Sequence, residues 1–258
     1  MIAGRRQRFP LRTTAATYPD DGDPELPFVI VQNPTGGVFP GDRLRLAVEV
    51  ATGARAHVRN QSATKVYAGD GETPVQEIVF RVGDGATLEY FGDMLIPHAG
   101  SEYCQLLHVD ASATARFISV ETLVAGRIAH GERFAFARAR LATAATVDGD
   151  LVCHDVVDLV PERRYPGVAG CFADASYLTT MLVVSPADDA EALAHVLDQA
   201  VQAVAGRDAG ASTLPSGAGV IVRALSRSAV DARRVIGAAW SSARMELSGR
   251  QAPRRFLP

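Results

Sequence analysis

The residues of this chain best placed to do chemistry are carboxylates. In the β-branched, apolar run 151–159, Asp155 falls on the same side of a strand as Leu151, Cys153, Val157 and Leu159, and His154 and Asp158 fall on the other. A carboxylate on an apolar face is costly unless it is paired, hydrated or bound to a cation, and pairing with a nearby arginine is the plainest of these. Glu121 closes the alternating run 115–121, just before Gly126-Arg127. Glu132 follows Gly131 at the end of that motif, and with Arg127 it reads as an ion pair bracing a tight connection. Asp42 ends a glycine-rich turn whose amides its side chain can cap.

Other chemistries lack their residues. No Gly-x-Ser-x-Gly elbow, His-Glu-x-x-His pair or recognisable Ser/His/Asp triad is present, and no Gly-x4-Gly-Lys-Ser/Thr loop supplies nucleotide hydrolysis. The six histidines, His57, His98, His108, His130, His154 and His195, form no tight cluster and read as structural or surface residues. The run 32–42 packs Gly36, Gly37 and Gly41 with Pro34 and Pro40 ahead of Asp42, which suits either a tight turn or an anion cradle. Immediately after it, Leu44, Leu46, Val48 and Val50 alternate with Arg43, Arg45, Ala47 and Glu49, the period of a half-buried strand and not of the helix a phosphate loop opens. A β-rich enzyme or binding protein that holds a small anion in the Gly36 to Asp42 loop remains the alternative function.

The elements that must position these groups are mostly strands. Residues 28–183 read as one strand after another, with glycine turns at Thr52-Gly53, Gly83-Asp84-Gly85 and Asp148-Gly149-Asp150 placed as hairpin connections. Ile78, Phe80 and Val82 alternate, and so do Phe134 and Phe136 among alanines. After residue 184 the period changes. Leu193, Val196, Leu197, Ala200, Val201 and Val204 recur at helical spacing behind Asp188-Asp189; residues 219–225 read as a strand; and Ser228 to Asp231 has the form of a capping box before a second helix faced by Val235, Ile236, Ala239, Trp240 and Leu247. The expected architecture is mainly β: an elongated multi-stranded sheet body with a small C-terminal β-α-β-α segment. With no linker between them, residues 1–258 are expected to form one domain, 28–183 strand-rich and 184–258 helix-containing.

Composition sets bounds on partners. Apolar residues at 47% and charged residues at 21% are those of an ordinary globular protein, and a formal net charge of -3 exerts no overall pull toward nucleic acid or an anionic membrane. Lys65 is the only lysine. Arginines 223, 227, 233, 234, 244, 250, 254 and 255 meet only Asp231 and Glu246 in their stretch, so that end is expected to leave its arginines exposed toward an acidic partner while Trp240 packs on the β body. Cys104, Cys153 and Cys171 are odd in number and widely spaced, which suggests neither disulfides nor a structural zinc and fits a reducing, cytoplasmic setting. The basic N-terminus is not followed by an apolar signal core, and no run reaches membrane-spanning length.

The order of several of these segments resembles the UreD (UreH) family of urease accessory proteins. The segments are the loop 32–42, Gly53-Ala54-Arg55-Ala56, Gln61 to Tyr67 with Lys65, Gly85 to Tyr90, and Gly126-Arg127-Ile128-Ala129-His130-Gly131-Glu132, with Trp240, Arg244 and Pro253-Arg254 fitting the family's tail. Family members usually carry further strands before the segment matching residues 8–12, so the edge of the first sheet is expected to be formed differently here or covered by a partner. The resemblance implies a strand-rich maturation chaperone without covalent chemistry. It would join apo-urease to UreF and UreG, leave room for a homodimer within the accessory complex, bind no cofactor tightly, and pass nickel(II) transiently. It also implies that Asp42, Glu121 and Asp155 are polar positions along a hydrated nickel passage. Carboxylate and water ligands would hold the ion weakly enough to release it, unlike a cysteine cage.

Overall fold

Alternation along residues 43–50 becomes burial in the structure. Leu44, Leu46 and Val50 turn inward, and Arg43, Arg45 and Glu49 stay exposed. The same rule repeats strand after strand in the computed structural model, which describes residues 2–253. In chain order the elements are β1 (Arg12–Thr13), β2 (Phe28–Gln32), β3 (Arg43–Val50), β4 (Arg55–Asn60), β5 (Thr64–Val66), β6 (Val75–Val82), β7 (Thr87–Pro97), β8 (Glu102–Ala111), β9 (Arg116–Val124), β10 (Arg138–Val147), β11 (Asp150–Leu159), β12 (Tyr177–Val184), α1 (Ala190–Ala205), β13 (Ala209–Thr213), β14 (Gly219–Ser226) and α2 (Ala229–Ser248).

These strands build two facing sheets. The larger has the order β1-β2-β4-β7-β9-β12-β14-β13, with β5 pairing β7, and the smaller has the order β11-β10-β8-β6-β3. From β2 to β10 the chain visits the sheets largely by turns, so neighbours within a sheet run parallel: β2, β4, β7 and β9 in one, and β3, β6, β8 and β10 in the other. A parallel pair needs a crossover, and here a strand of the opposite sheet supplies it. The result is a solenoid-like coil.

That coil corrects the hairpin expectation. Thr52-Gly53 joins β3 to β4 and Gly83–Gly85 joins β6 to β7, so both turns carry the chain from one sheet to the other, and only Asp148-Gly149 closes a hairpin, between β10 and β11. The loop 33–42 is likewise a sheet-to-sheet arch between β2 and β3. Phe134 and Phe136 do not lie on a strand; they sit in a loop with both rings buried in the inter-sheet core. The alternating run that begins at residue 115 continues to Val124, which places Glu121 inside β9 and not at its end. In β11, a register shift opposite Ala145/Thr146 turns Leu151 out to 62% exposure, away from the side it shares by simple alternation with Asp155.

The C-terminal part differs from the expected β-α-β-α order by one strand, β13, which pairs with β14 at the edge of the larger sheet. Asp189 caps α1 by accepting from the amides of Glu191 and Ala192, and Ser228 caps α2 by accepting from the amide of Asp231. Both helices lie on the outer face of the larger sheet. There Leu193, Leu197, Val235 and a fully buried Trp240 meet Val120, Val183 and Val222. No described helix is long and apolar enough to cross a membrane.

The expected basic end is largely neutralised by distant acids. Arg244 is buried against Asp20 and Glu89; Arg250 pairs with Asp23, Arg227 with Asp174 and Asp208, and Arg223 with Asp155. Arg233 and Arg234 are exposed, and Arg254 and Arg255 lie outside the described residues. The acids are far away in sequence, which is why a local count misses them.

Candidate functional site

Between the two sheets the apolar filling is not continuous. One cluster holds Ile78, Leu107, Phe117, Ala145, Cys153 and Leu182, and another holds Leu44, Tyr103, Leu123, Phe134 and Ala139. The inward-facing strand positions between them are polar. Gln105 lies between Leu107 and Tyr103 on β8, Thr143 between Ala145 and Leu141 on β10, and Asp155 between Cys153 and Val157 on β11. On the facing sheet Ser119 and Glu121 lie between Phe117 and Leu123, Thr180 between Leu182 and Leu178, and Arg223 between Ile221 and Leu225. Register makes these one belt: Glu121, Thr180 and Arg223 are successive partners across the larger sheet, and Thr143 is the partner of Asp155 in the smaller.

The belt is hydrogen-bonded as a relay. The Tyr103 hydroxyl donates to Gln76 Oε1 at 2.6 Å and lies 3.3 Å from Gln105 Oε1, while Gln105 Nε2 donates to Glu121 Oε1. Beside Glu121, β7 shifts register between Phe91 and Asp93, and Gly92 sits at this irregularity. A Cβ on Gly92 would lie 3.3 Å from the Glu121 side chain, so glycine leaves the carboxylate its room, and Asn60 Nδ2 donates to the Gly92 carbonyl at 2.8 Å. Burial pushes the Glu121 carboxyl up to about 7; the Gln105 hydrogen bond opposes this and the negative charge of Asp155 adds to it. Burial also raises the hydroxyls of Tyr90 and Tyr103, with the Glu121 charge contributing to both. Among the described residues no group of three or more His, Cys, Asp or Glu converges as a metal cage.

Of the three carboxylates expected on a passage, the fold brings Glu121 and Asp155 together. Asp155 also has the plain partner, since Arg223 Nη2 donates to its Oδ1. Asp42 is not among the belt residues: its Oδ2 accepts the amide of Phe39 at 2.9 Å and caps its own loop. That loop does not form an anion cradle, because the amides of Gly36, Val38, Gly41 and Asp42 already donate to the carbonyls of Asn33, Lys65, Glu72 and Phe39. Gly37 is there for space: a Cβ would lie 2.6 Å from the Lys65 carbonyl. Lys65 itself is exposed on β5.

The Gly126 to Glu132 motif is a brace. Arg127 Nε donates to Glu132 Oε2 at 2.8 Å, the ion pair holds the Glu132 carboxyl down at about 2, and Glu132 also accepts the Ala99 amide. Gly126 has φ +125°, and a Cβ there would lie 2.0 Å from the Glu132 carbonyl. Gly131 supplies the left-handed turn after residues 128–130.

A second polar cluster lies on the helix side of the larger sheet. His57 Nδ1 lies 2.9 Å from Glu89 Oε2, Arg244 Nε lies 3.3 Å from Glu89 Oε1, and Arg244 Nη2 donates to Asp20 at 2.8 Å, all of them buried. Burial lowers the His57 pKa, against the raising effect of Glu89. Among the described residues Arg244 Nη1 and Trp240 Nε1 have no hydrogen-bond partner, so the packing of α2 holds this cluster in place as much as its own bonds do. It ties residues 18–26 to α2 across the sheet. The helical spacing of Trp240 and Arg244 is the one sequence signal for it, but their partners lie more than one hundred residues away in the chain.

Comparison with known proteins places this geometry in a family. The whole chain, residues 1–258, matches the family profile described as UreD urease accessory protein. It is 36% identical over 245 residues to the urease accessory protein UreD of Mycolicibacterium gilvum (95% of this chain, 88% of the relative) and 37% identical over 230 residues to that of Haloarcula marismortui (89% and 77%). The urease accessory protein UreD 2 of Brucella suis is 29% identical over 260 residues, covering 100% of this chain and 86% of the relative.

Proposed function

The chain belongs to the UreD family of urease accessory proteins, and from that premise we propose that it is a non-enzymatic scaffold joining apo-urease to UreF and UreG and conducting nickel(II) toward the urease active site. A role in urease maturation follows from the family itself. The observation that supports conduction is the polar belt: two carboxylates, one glutamine, one serine, two threonines and one arginine replace apolar filling along one level of the inter-sheet core. Polar groups at such a level are costly to bury dry, and a hydrated path for a divalent cation would offset that cost. Glu121 and Asp155 would be the transient oxygen ligands, and nickel is cargo rather than a resident cofactor. The setting proposed is the cytoplasm, which suits three free cysteines.

Two experiments test this. Cells lacking the gene should make urease protein that is nickel-poor and inactive, and normal nickel content in that urease refutes the maturation role. Glu121→Gln and Asp155→Asn should yield protein that folds and assembles with its partners yet loads urease poorly when nickel is scarce. Full loading at limiting metal by both variants refutes conduction through the belt.

A further inference from the structure

Asp155 sits at the partly exposed end of the belt, with its side chain 22% exposed and the guanidinium of Arg223 on it. The two residues come from different sheets, Asp155 from the edge strand β11 and Arg223 from β14, so their ion pair spans the inter-sheet gap. Arg223 interrupts β14 between Ile221 and Leu225, which pack against the two apolar clusters; an apolar side chain in that position would continue the core. Instead the position carries a permanent positive charge. It is held loosely: the Arg223 side chain is 42% exposed, and its register partner on the edge strand β13 is Gly210, which places no side chain against it. Asp155 in turn acts electrostatically on Glu121 deeper in the belt.

A divalent cation entering from this side meets the carboxylate that Arg223 occupies. Resting on the proposed role of the belt as a passage, we propose that Arg223 is its gate. It is a tethered cation that neutralises Asp155 when no metal is present, swings toward solvent when a divalent cation takes its place, and competes the ion off again on its return. No covalent bond changes; one positive charge leaves the carboxylate as another arrives.

The test is equilibrium dialysis of Ni²⁺ against the purified full chain, as wild type, R223Q, D155N and E121Q. Removing a competing cation from a half-exposed pair should make R223Q bind Ni²⁺ roughly fivefold tighter than wild type. D155N and E121Q should bind it more weakly than wild type. Equal affinity of R223Q and wild type, with D155N and E121Q weakened, overturns the gate and leaves the passage standing. Unaltered binding by D155N and E121Q, or no binding by any of the four, overturns both. Arginine modification by phenylglyoxal, mapped by mass spectrometry on the wild type, keeps the gate testable even where R223Q fails to fold. Arg223 should react faster at saturating Ni²⁺, and an unchanged rate overturns the gate.

Discussion

Replacing Glu121 by glutamine preserves the shape of the side chain and an oxygen to accept from Gln105, and it removes the ionisation. Burial holds the native carboxyl at about 7 against an ordinary value of 4.5. An acid whose pKa rises on folding loses its proton first in the unfolded chain. Its favourable contribution is therefore complete below the unfolded value and is lost as pH rises through the folded one. At 1.36 kcal/mol per unit, that shift corresponds to a loss of up to about 3 kcal/mol between roughly pH 4.5 and pH 8, and partial exposure of the side chain makes this an upper bound. Urea denaturation of wild type and Glu121→Gln across that range measures it. The variant should gain little at about pH 5 and be more stable by about 2–3 kcal/mol at about pH 8, with an unchanged m-value. Asp155→Asn should shift the wild-type loss to lower pH, because the Asp155 charge helps hold the Glu121 proton. Parallel pH profiles for wild type and Glu121→Gln would refute the claim that this carboxyl is strained by burial.

Trp240→Ala should cost about 3–5 kcal/mol, since the ring is fully buried between α2 and the larger sheet; chemical denaturation measures it. Arg244→Met should be destabilising by about 3–5 kcal/mol, because it leaves Asp20 and Glu89 buried without their cation, whereas Arg234→Met, at an exposed pair, should change stability by less than about 1 kcal/mol. Gly126→Ala should lower stability by at least about 1–3 kcal/mol through backbone strain and the clash with the Glu132 carbonyl, read as a fall in denaturation midpoint.

Local information in the sequence determined much of this protein. Side-chain alternation marks β3, β6 and β9 because adjacent residues of a strand face opposite ways, and the Ser228 capping box and the acids Asp188-Asp189 mark helix starts because the end of a helix is settled within a few residues, although the structure makes Asp189 the cap itself rather than part of the first turn. The Arg127–Glu132 brace was legible for the same reason, as its partners are five residues apart. The ordered motifs carried the family resemblance.

Only the tertiary structure decided what depends on register between distant strands. Two of the three glycine turns that read as hairpins, at Thr52-Gly53 and Gly83–Gly85, became arches, because turn chemistry specifies a bend and not which sheet receives the next strand. Gln105, Thr143, Thr180 and Arg223 each read as one polar interruption in an apolar alternation, and nothing local says that the interruptions fall at one level. The antiparallel pairing of β9, β12 and β14 sets Glu121, Thr180 and Arg223 side by side, that of β10 with β11 sets Thr143 beside Asp155, and Gln105 reaches Glu121 by a hydrogen bond from the facing sheet. The arginine-rich end is illegible locally for the same physical reason: ion pairs are chosen by distance in space, and Asp20, Asp23 and Glu89 reach Arg244 and Arg250 only after the chain has folded back across the larger sheet.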